Sequence, residues 1–322
     1  MVDRVIITTG CRLHFTLIDM NAELGRVDGG VGVGLKAPGW TVEVSRGKQW
    51  AIDGAIRPLI GSLKKTLGLR SPLQVKVGGG IPGHVGLGSK TQLALALVSG
   101  LAAFDRKASK LSVRELARIV GRGGTSGIGV TTFETGGLIL DGGHSYGEKG
   151  GFFPSRYSKV GAPPVLARFE VPSSWYFVVG IPKGRLIEGK DEAEAFKENT
   201  PVTGKDVGAV TRTIIMNMLP AVVEDDIEAF GKAVGRLQTM GFKRAENRLQ
   251  VPEVRLLQKK MVDLGASGAG LSSFGPACFC IMRGKKAANE MVSELLRFMR
   301  KNIGGTAFAS PAMNTGARIK RY

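Results

Sequence analysis

Hydrophobic and polar positions change period several times along the chain, and each change marks an element. Alternation over 4–9 predicts an opening strand, and 40–44 and 73–77 read the same way. Between the last two, Ile56, Leu59, Ile60, Leu63 and Leu67 recur at helical spacing, so 56–67 predicts an amphipathic helix. Residues 92–104 are apolar on nearly every face and predict a buried helix. Ser112 with Glu115 three residues on is a capping-box pair, which predicts a short helix over 113–120. In the second half, 175–181 and 277–282 are continuous apolar strands, and 306–311 is a last strand-like run. Helical stretches cover 206–223, 226–240, 253–264 and 285–302, the first two forming an antiparallel hairpin that turns at 220–225. The charged run 187–203 reads as a surface helix or a flap. Pro154, Pro163 and Pro164 punctuate a segment of weak periodicity, which puts a domain boundary after residue 163.

Two extended stretches carry chemistry. Over 11–21, Arg12, His14 and Thr16 alternate with apolar residues and share one face. A cation, an imidazole and a hydroxyl there make a site wall or an ordinary solvent face. Over 25–34 there are five glycines in ten residues, which implies close backbone approach or tight turns. Arg26 and Asp28 within it point the same way if the backbone is extended. Arginine can grip a phosphate or carboxylate at two points, and Asp28 can hold Mg²⁺. A plain surface ion pair is the competing reading.

Three glycine-dense loops follow. The first, Ile81-Pro82-Gly83-His84-Val85-Gly86-Leu87-Gly88-Ser89-Lys90-Thr91, runs from a strand into the buried helix. Gly86 and Gly88 let the backbone turn sharply beside a ligand. The first helical turn then offers free N–H groups and a positive dipole end to an anion. Ser89 caps the helix or adds a hydroxyl donor. A glycine turn with an ordinary serine cap has the same sequence, and neither the P-loop nor the dinucleotide spacing matches. The second loop region, 121–143, contains Ser126-Gly127-Ile128-Gly129 and leads to the candidate polar groups Glu134, Asp141 and His144. The third, 265–276, contains Ser272 and Ser273.

Bulk properties narrow the classes. The 322 residues suffice for two domains. A net charge of +18 asks for an anionic partner, but the basic residues are scattered and aromatics make up only 7%. Nucleic acid therefore fits poorly; a small polyphosphorylated substrate is another candidate, and a solvated basic surface is the commoner explanation. The cysteines Cys11, Cys278 and Cys280 form no disulfide framework, so a reduced, cytoplasmic chain is expected. No stretch reads as a signal peptide or a membrane span.

The Pro82-x-x-x-Gly86-Leu87-Gly88-Ser89 pattern and its helix resemble the central motif of the GHMP superfamily, which includes galactokinase, homoserine kinase and mevalonate kinase. Further segments narrow the resemblance: Arg12-Leu13-His14-Phe15, Leu17-Ile18-Asp19, Gly25-Arg26-Val27-Asp28-Gly29-Gly30, Phe133-Glu134-Thr135-Gly136-Gly137 and Asp141-Gly142-Gly143-His144. Pro154-Ser155-Arg156, Pro182-Lys183-Gly184, Phe242-Lys243 and Ser272-Ser273-Phe274-Gly275-Pro276 continue it. Together they resemble the beta-ribofuranosylaminobenzene 5'-phosphate synthases, GHMP-fold enzymes of methanopterin biosynthesis.

That resemblance implies an α+β, two-domain fold. Residues 1–163 would be a ribosomal protein S5 domain 2-like domain and 164–322 a ferredoxin-like one, with the site between them. It implies that phosphoribosyl pyrophosphate condenses with 4-aminobenzoate or 4-hydroxybenzoate, releasing CO₂ and pyrophosphate with Mg²⁺ as cofactor. Gly86, Gly88, Ser89, Lys90 and Thr91 would hold a phosphate. Arg12, Arg26 or Arg156 would orient the carboxylate or the 5'-phosphate, and Ser272 and Ser273 would touch substrate. Asp19, Asp28 and Glu134 would bind the metal or stabilise a sugar cation. His14 and His144 would handle protons or donate hydrogen bonds. A homodimer without nucleic-acid or membrane partners is expected. The rival is an ATP-dependent GHMP kinase. Against it, Gly129 stands where those kinases carry their catalytic aspartate, and Lys90 where they carry a metal-serving serine. A second rival is a basic binding protein on a retired kinase scaffold.

Overall fold

A computed structural model gives the fold and describes residues 2–184 and 189–322. Three sheets organise it. In the first, Arg318–Arg321, Arg4–Thr8, Trp40–Arg46, Leu73–Gly79 and Ala51–Ile52 lie side by side. Helices Arg57–Thr66 and Ser89–Ala102 cover it, and Val5, Ile7, Val42, Val44, Ile60, Leu95 and Val98 fill the space between. The helical spacing over 56–67 was thus a true core stripe. The capping box at Ser112 and Glu115 is formed, with both reciprocal hydrogen bonds.

The second sheet has the order Cys11–Asp19, Arg26–Leu35, Leu138–Asp141, Val165–Phe169. Its second strand carries the glycines seen in the sequence. A Cβ on Gly32 would lie 2.7 Å from Ile128 Cγ2, so the missing side chain lets helix Ile128–Glu134 settle on the sheet.

The third sheet contains Ala269–Leu271, Cys278–Arg283, Trp175–Pro182 and Gly305–Pro311 in that spatial order, all antiparallel. Numbered along the chain, this is 2-3-1-4, the ferredoxin-like arrangement expected for this half. Strand pairing also crosses the expected boundary after residue 163. Val165–Phe169 pairs with Leu138–Asp141, and Arg318–Arg321 pairs with Arg4–Thr8. Both ends of the second half are therefore stitched into sheets of the first.

Aromatic packing ties the halves together. Phe15, from the second sheet, stacks on Phe279 at 5.0 Å and meets Phe230 edge-on at 6.0 Å. All of these rings are buried, and each contributes roughly 1.5–3 kcal/mol by leaving water.

The stretch 204–223 runs as Gly204–Thr213, a π-helical turn over Ile214–Met218, and Leu219–Val223. By length and hydropathy it could cross a membrane, yet Val210, Ile214, Met218 and Val222 belong to the protein core. Residues 187 and 188 of the expected flap lie outside the described residues. Beyond them, Lys190–Asn199 is helical and brings Glu192 and Phe196 to the cleft described next.

Candidate active site

A cleft of about 560 Å³ opens between the two halves, and the first glycine loop forms one wall. The loop is held by contacts that only glycine permits. Gly86 has φ +88°, and a Cβ on it would sit 2.0 Å from the Ser272 carbonyl oxygen. A Cβ on Gly275 would sit 1.9 Å from the Val85 carbonyl carbon. The first and third loops thus lie backbone against backbone. Ser272 Oγ donates to Gly86 O at 2.6 Å and accepts from His14 N at 3.0 Å. Ser273 N donates to His14 O at 3.0 Å, and Ala277 N to Val85 O at 3.1 Å.

Gly88, left-handed at φ +75°, starts helix Ser89–Ala102. Ser89 does not cap it. Its hydroxyl donates to Ile81 O at 2.7 Å and pins the loop's entry. Thr91 N and Gln92 N both donate to Gly88 O at 3.1 Å, and the Ser89 and Lys90 N–H groups ahead of them lack an intrahelical acceptor, as at every helix start, with Lys90 and Thr91 on the cleft wall.

The strand Cys11–Asp19 supplies the floor, with one shift from the alternating pattern. A bulge between His14 and Thr16 moves the register. Arg12, His14 and Leu17 therefore line the cleft, while Thr16 is fully buried and donates to Leu17 O. Arg12 donates to Gly86 O, and burial pulls its guanidinium down to about 10. Both ring nitrogens of His14 are buried without a hydrogen-bond partner among the described residues. Burial first, then the charges of Arg12 and Lys243, hold its pKa well below the usual histidine value, so the ring is neutral.

Behind this floor lies a buried ion pair. Lys243 and Glu246 face each other one helical turn apart, and Lys243 Nζ also donates to Leu271 O at 3.3 Å. Burial pulls the lysine down and pushes the glutamate up, and their mutual attraction opposes both shifts. Arg122 and Arg156 also line the cleft, and Arg122 Nε is a buried donor with no acceptor among the described residues. Four cationic side chains, Arg12, Lys90, Arg122 and Arg156, thus face one space. Its described carboxylates are Glu192 and Glu246. Such a cleft suits a multiply charged anion.

Residues 54–137 match the model of the GHMP kinases N terminal domain, and residues 218–301 that of the GHMP kinases C terminal domain. Among curated proteins, the chain is 42% identical over 296 residues to the beta-ribofuranosylphenol 5'-phosphate synthase of Methanothermobacter thermautotrophicus, covering 87% of this chain and 89% of that one. The Archaeoglobus fulgidus protein of the same name is 38% identical over 97% of this chain and 98% of its own. The chain belongs to the beta-ribofuranosylphenol 5'-phosphate synthase family. Solved structures agree on the fold. Homoserine kinase from Cytophaga hutchinsonii superposes with a TM-score of 0.68 at 17% identity, over 99% of this chain and 98% of that one. The Methanococcus jannaschii mevalonate kinase gives 0.68 at 14%, over 96% and 98%.

In this synthase-family chain, the cleft gathers Arg12, His14, Gly86, Gly88, Ser89, Lys90, Thr91, Arg156 and Ser273. Ser272 is buried beneath it as a backbone clamp. The other expected residues stand elsewhere. Asp28 is fully buried, at φ +71°, and its carboxylate meets His144 Nδ1 and Lys149 Nζ, each at 2.6 Å. That left-handed turn breaks the alternation, and Arg26 donates instead to Gly142 O and Gly143 O. Asp19 accepts from the N–H groups of Asn21 and Ala22 in a local turn. Glu134 pairs with Arg114 at 3.6 Å, and neither lines the cleft. Asp19, Asp28 and Glu134 therefore do not converge as a metal set. Among the described residues, no group of three His, Cys, Asp or Glu side chains could hold a metal ion.

Asp28→Ala is accordingly expected to act on stability. It would leave Lys149, whose side chain is wholly buried, without its anion, at a cost of about 3–5 kcal/mol. Urea denaturation checks this. Unchanged stability with lost turnover would return Asp28 to the site.

Asp141 is buried next to the cleft. Its carboxylate accepts from Gly127 N at 2.9 Å, Gly143 N at 3.1 Å and Ser126 Oγ at 3.2 Å. Burial outweighs these donors and pushes it up to about 6. The folded state then binds this proton more tightly than the unfolded chain does. Stability should therefore fall as pH rises from the usual carboxylate range to about 6, and level off above. Denaturation midpoints across that window should lose this slope in Asp141→Asn.

Sequence reasoning missed Arg122, Lys243 and Glu246 as site groups. Arg122 hid between glycines that announced only a turn. Lys243 and Glu246 sit on helix Gly241–Arg248, a short helix in which only Phe242 and Ala245 are apolar, so no apolar run announces it.

Proposed function

We propose that the chain is a decarboxylating phosphoribosyltransferase. It joins phosphoribosyl pyrophosphate to 4-hydroxybenzoate, or to the 4-amino analogue, and releases pyrophosphate and CO₂. The observation that carries this reading is the cationic cleft of Arg12, Lys90, Arg122 and Arg156 around a glycine-loop helix start, with Gly129 where a GHMP kinase needs its aspartate. The relatives' names specify a phenol product, which favours the hydroxybenzoate over the aminobenzoate.

The diphosphate would lie against the first turn of Ser89–Ala102, with Lys90 and Arg122 neutralising the charge that grows as the anomeric C–O bond breaks. Arg156 would take the 5'-phosphate. The ring attacks through the carbon bearing the carboxylate, para to the hydroxyl. The C–CO₂ electron pair then returns to the ring as CO₂ leaves, so aromaticity is restored without net proton change. Magnesium enters this reading as the counter-ion of the diphosphate, since the chain's expected carboxylates do not assemble a site. For the homodimer, the exposed apolar residues Leu166, Ile215 and Met216 offer a face.

The rival is tested with ATP and small alcohols. The expected result is no ADP and no phosphorylated alcohol, because no side chain at position 129 can orient a hydroxyl. Steady ADP formation with a phosphorylated product would overturn the proposal.

A further inference from the structure

We infer that the acceptor ring lies on an apolar wall formed by Leu17, Phe196 and Phe274, with its para hydroxyl or amine against the imidazole of His14. This rests on the reaction proposed above and assigns its acceptor subsite.

Most of the cleft is cationic, polar or glycine. Leu17, Phe196 and Phe274 differ, because they are the cleft-facing edge of a packed cluster that also holds Met20, Ala195 and Phe242. The Phe196 and Phe274 rings are 5.9 Å apart and inclined by 34°. A further flat ring can extend such a cluster by offset stacking or edge contact. The wall and the imidazole are joined through the backbone. Leu17 follows His14 on one strand after the bulge, and Ser273, next to Phe274, donates its N–H to His14 O at 3.0 Å.

His14 is the second observation. It is 4% exposed, lines the cleft, and neither ring nitrogen has a partner among the described residues. Buried polar groups are almost always hydrogen-bonded, and leaving one unpaired is costly. A ligand group at this position removes that cost. Burial first, and then the charges of Arg12 and Lys243, disfavour a second proton on the ring, so one nitrogen remains an acceptor. That acceptor nitrogen suits a hydroxyl or amine. It also suits the chemistry. A hydroxyl donating to His14 pushes electron density to the ring carbon opposite, where the bond to ribose forms. The carboxylate on that carbon must leave as CO₂ and gains nothing from being gripped.

The test is calorimetric titration of the full chain, held with saturating pyrophosphate, by 4-hydroxybenzoate and by unsubstituted benzoate. Wild type should prefer 4-hydroxybenzoate by about tenfold, the size of one good hydrogen bond. His14→Leu should bring that preference to near one while keeping its benzoate affinity. Phe274→Ala should weaken both ligands by a similar factor. If His14→Leu fails to fold in a thermal melt, His14→Gln, which keeps a hydrogen-bonding end, serves instead and should retain part of the preference. A full preference in His14→Leu, or an equal loss of both ligands there, would overturn the assignment. The reaction is scored separately, by CO₂ release in wild type. Release with the preference unchanged in His14→Leu sinks the subsite and spares the reaction. No release with the preference abolished spares the ring site and sinks the reaction.

Discussion

Lys243→Met should destabilise the protein by about 3–5 kcal/mol and abolish turnover in whatever fraction stays folded. The substitution keeps most of the side-chain volume, so the effect is electrostatic. Glu246 is 2% exposed, and Lys243 is its ion-pair partner. Without the lysine the carboxyl must stay charged in a poor solvent or take up a proton. Either way the floor beside Arg12 and His14 changes charge, since Glu246 acts on Arg12 and Lys243 on His14. The double variant Lys243→Met with Glu246→Gln should recover much of the stability, because neither residue then carries a buried charge. Chemical denaturation of both variants checks this. A single variant as stable as wild type would show that the pair is solvated in solution.

Gly86→Ala should be nearly as damaging, through geometry and not charge. The added Cβ would meet the Ser272 carbonyl at 2.0 Å, and φ is already +88°. Ser272 cannot retreat easily. Its N–H is bonded to Ala277 O at 2.9 Å, and its hydroxyl bonds Gly86 itself. The two loops must part, which moves the helix start relative to Arg12. A stability loss of about 2–4 kcal/mol is expected, from strained backbone and lost contacts together. Pyrophosphate affinity should fall at least tenfold in the folded fraction. Gly83→Ala is the control, since a Cβ there meets nothing within 4 Å. Equal behaviour of the two variants would contradict the seam between the loops.

Much of the fold was legible because it follows period and capping. The strands over 4–9 and 175–181, the helix over 56–67 and the box at Ser112 are local decisions, and each is found. The missed elements needed distant partners. Helix Ile128–Glu134 exists because Gly32 leaves room for it, and Arg318–Arg321 is a strand because Arg4–Thr8 offers an edge. The site divides the same way. The glycine loop announced itself through residue type and spacing. Asp28 looked like a metal ligand because a carboxylate between glycines reads as exposed. Its partners His144 and Lys149 lie more than a hundred residues away, and a sequence does not reveal that pairing. The bulge after His14 was invisible for a similar reason: it is fixed by the neighbouring strand, and it exchanges Thr16 for Leu17 at the cleft.

On the proposed reaction, this anion cleft breaks an activated sugar bond and removes a carboxyl group, where its kinase-fold relatives transfer phosphate. Incubating the protein with Mg²⁺, phosphoribosyl pyrophosphate and carboxyl-labelled 4-hydroxybenzoate measures it directly. Labelled CO₂ and pyrophosphate should appear in equal amounts, and neither should form if either substrate is omitted. Pyrophosphate released while the label stays on the ring, or no release from a folded and donor-saturated protein, would contradict the account.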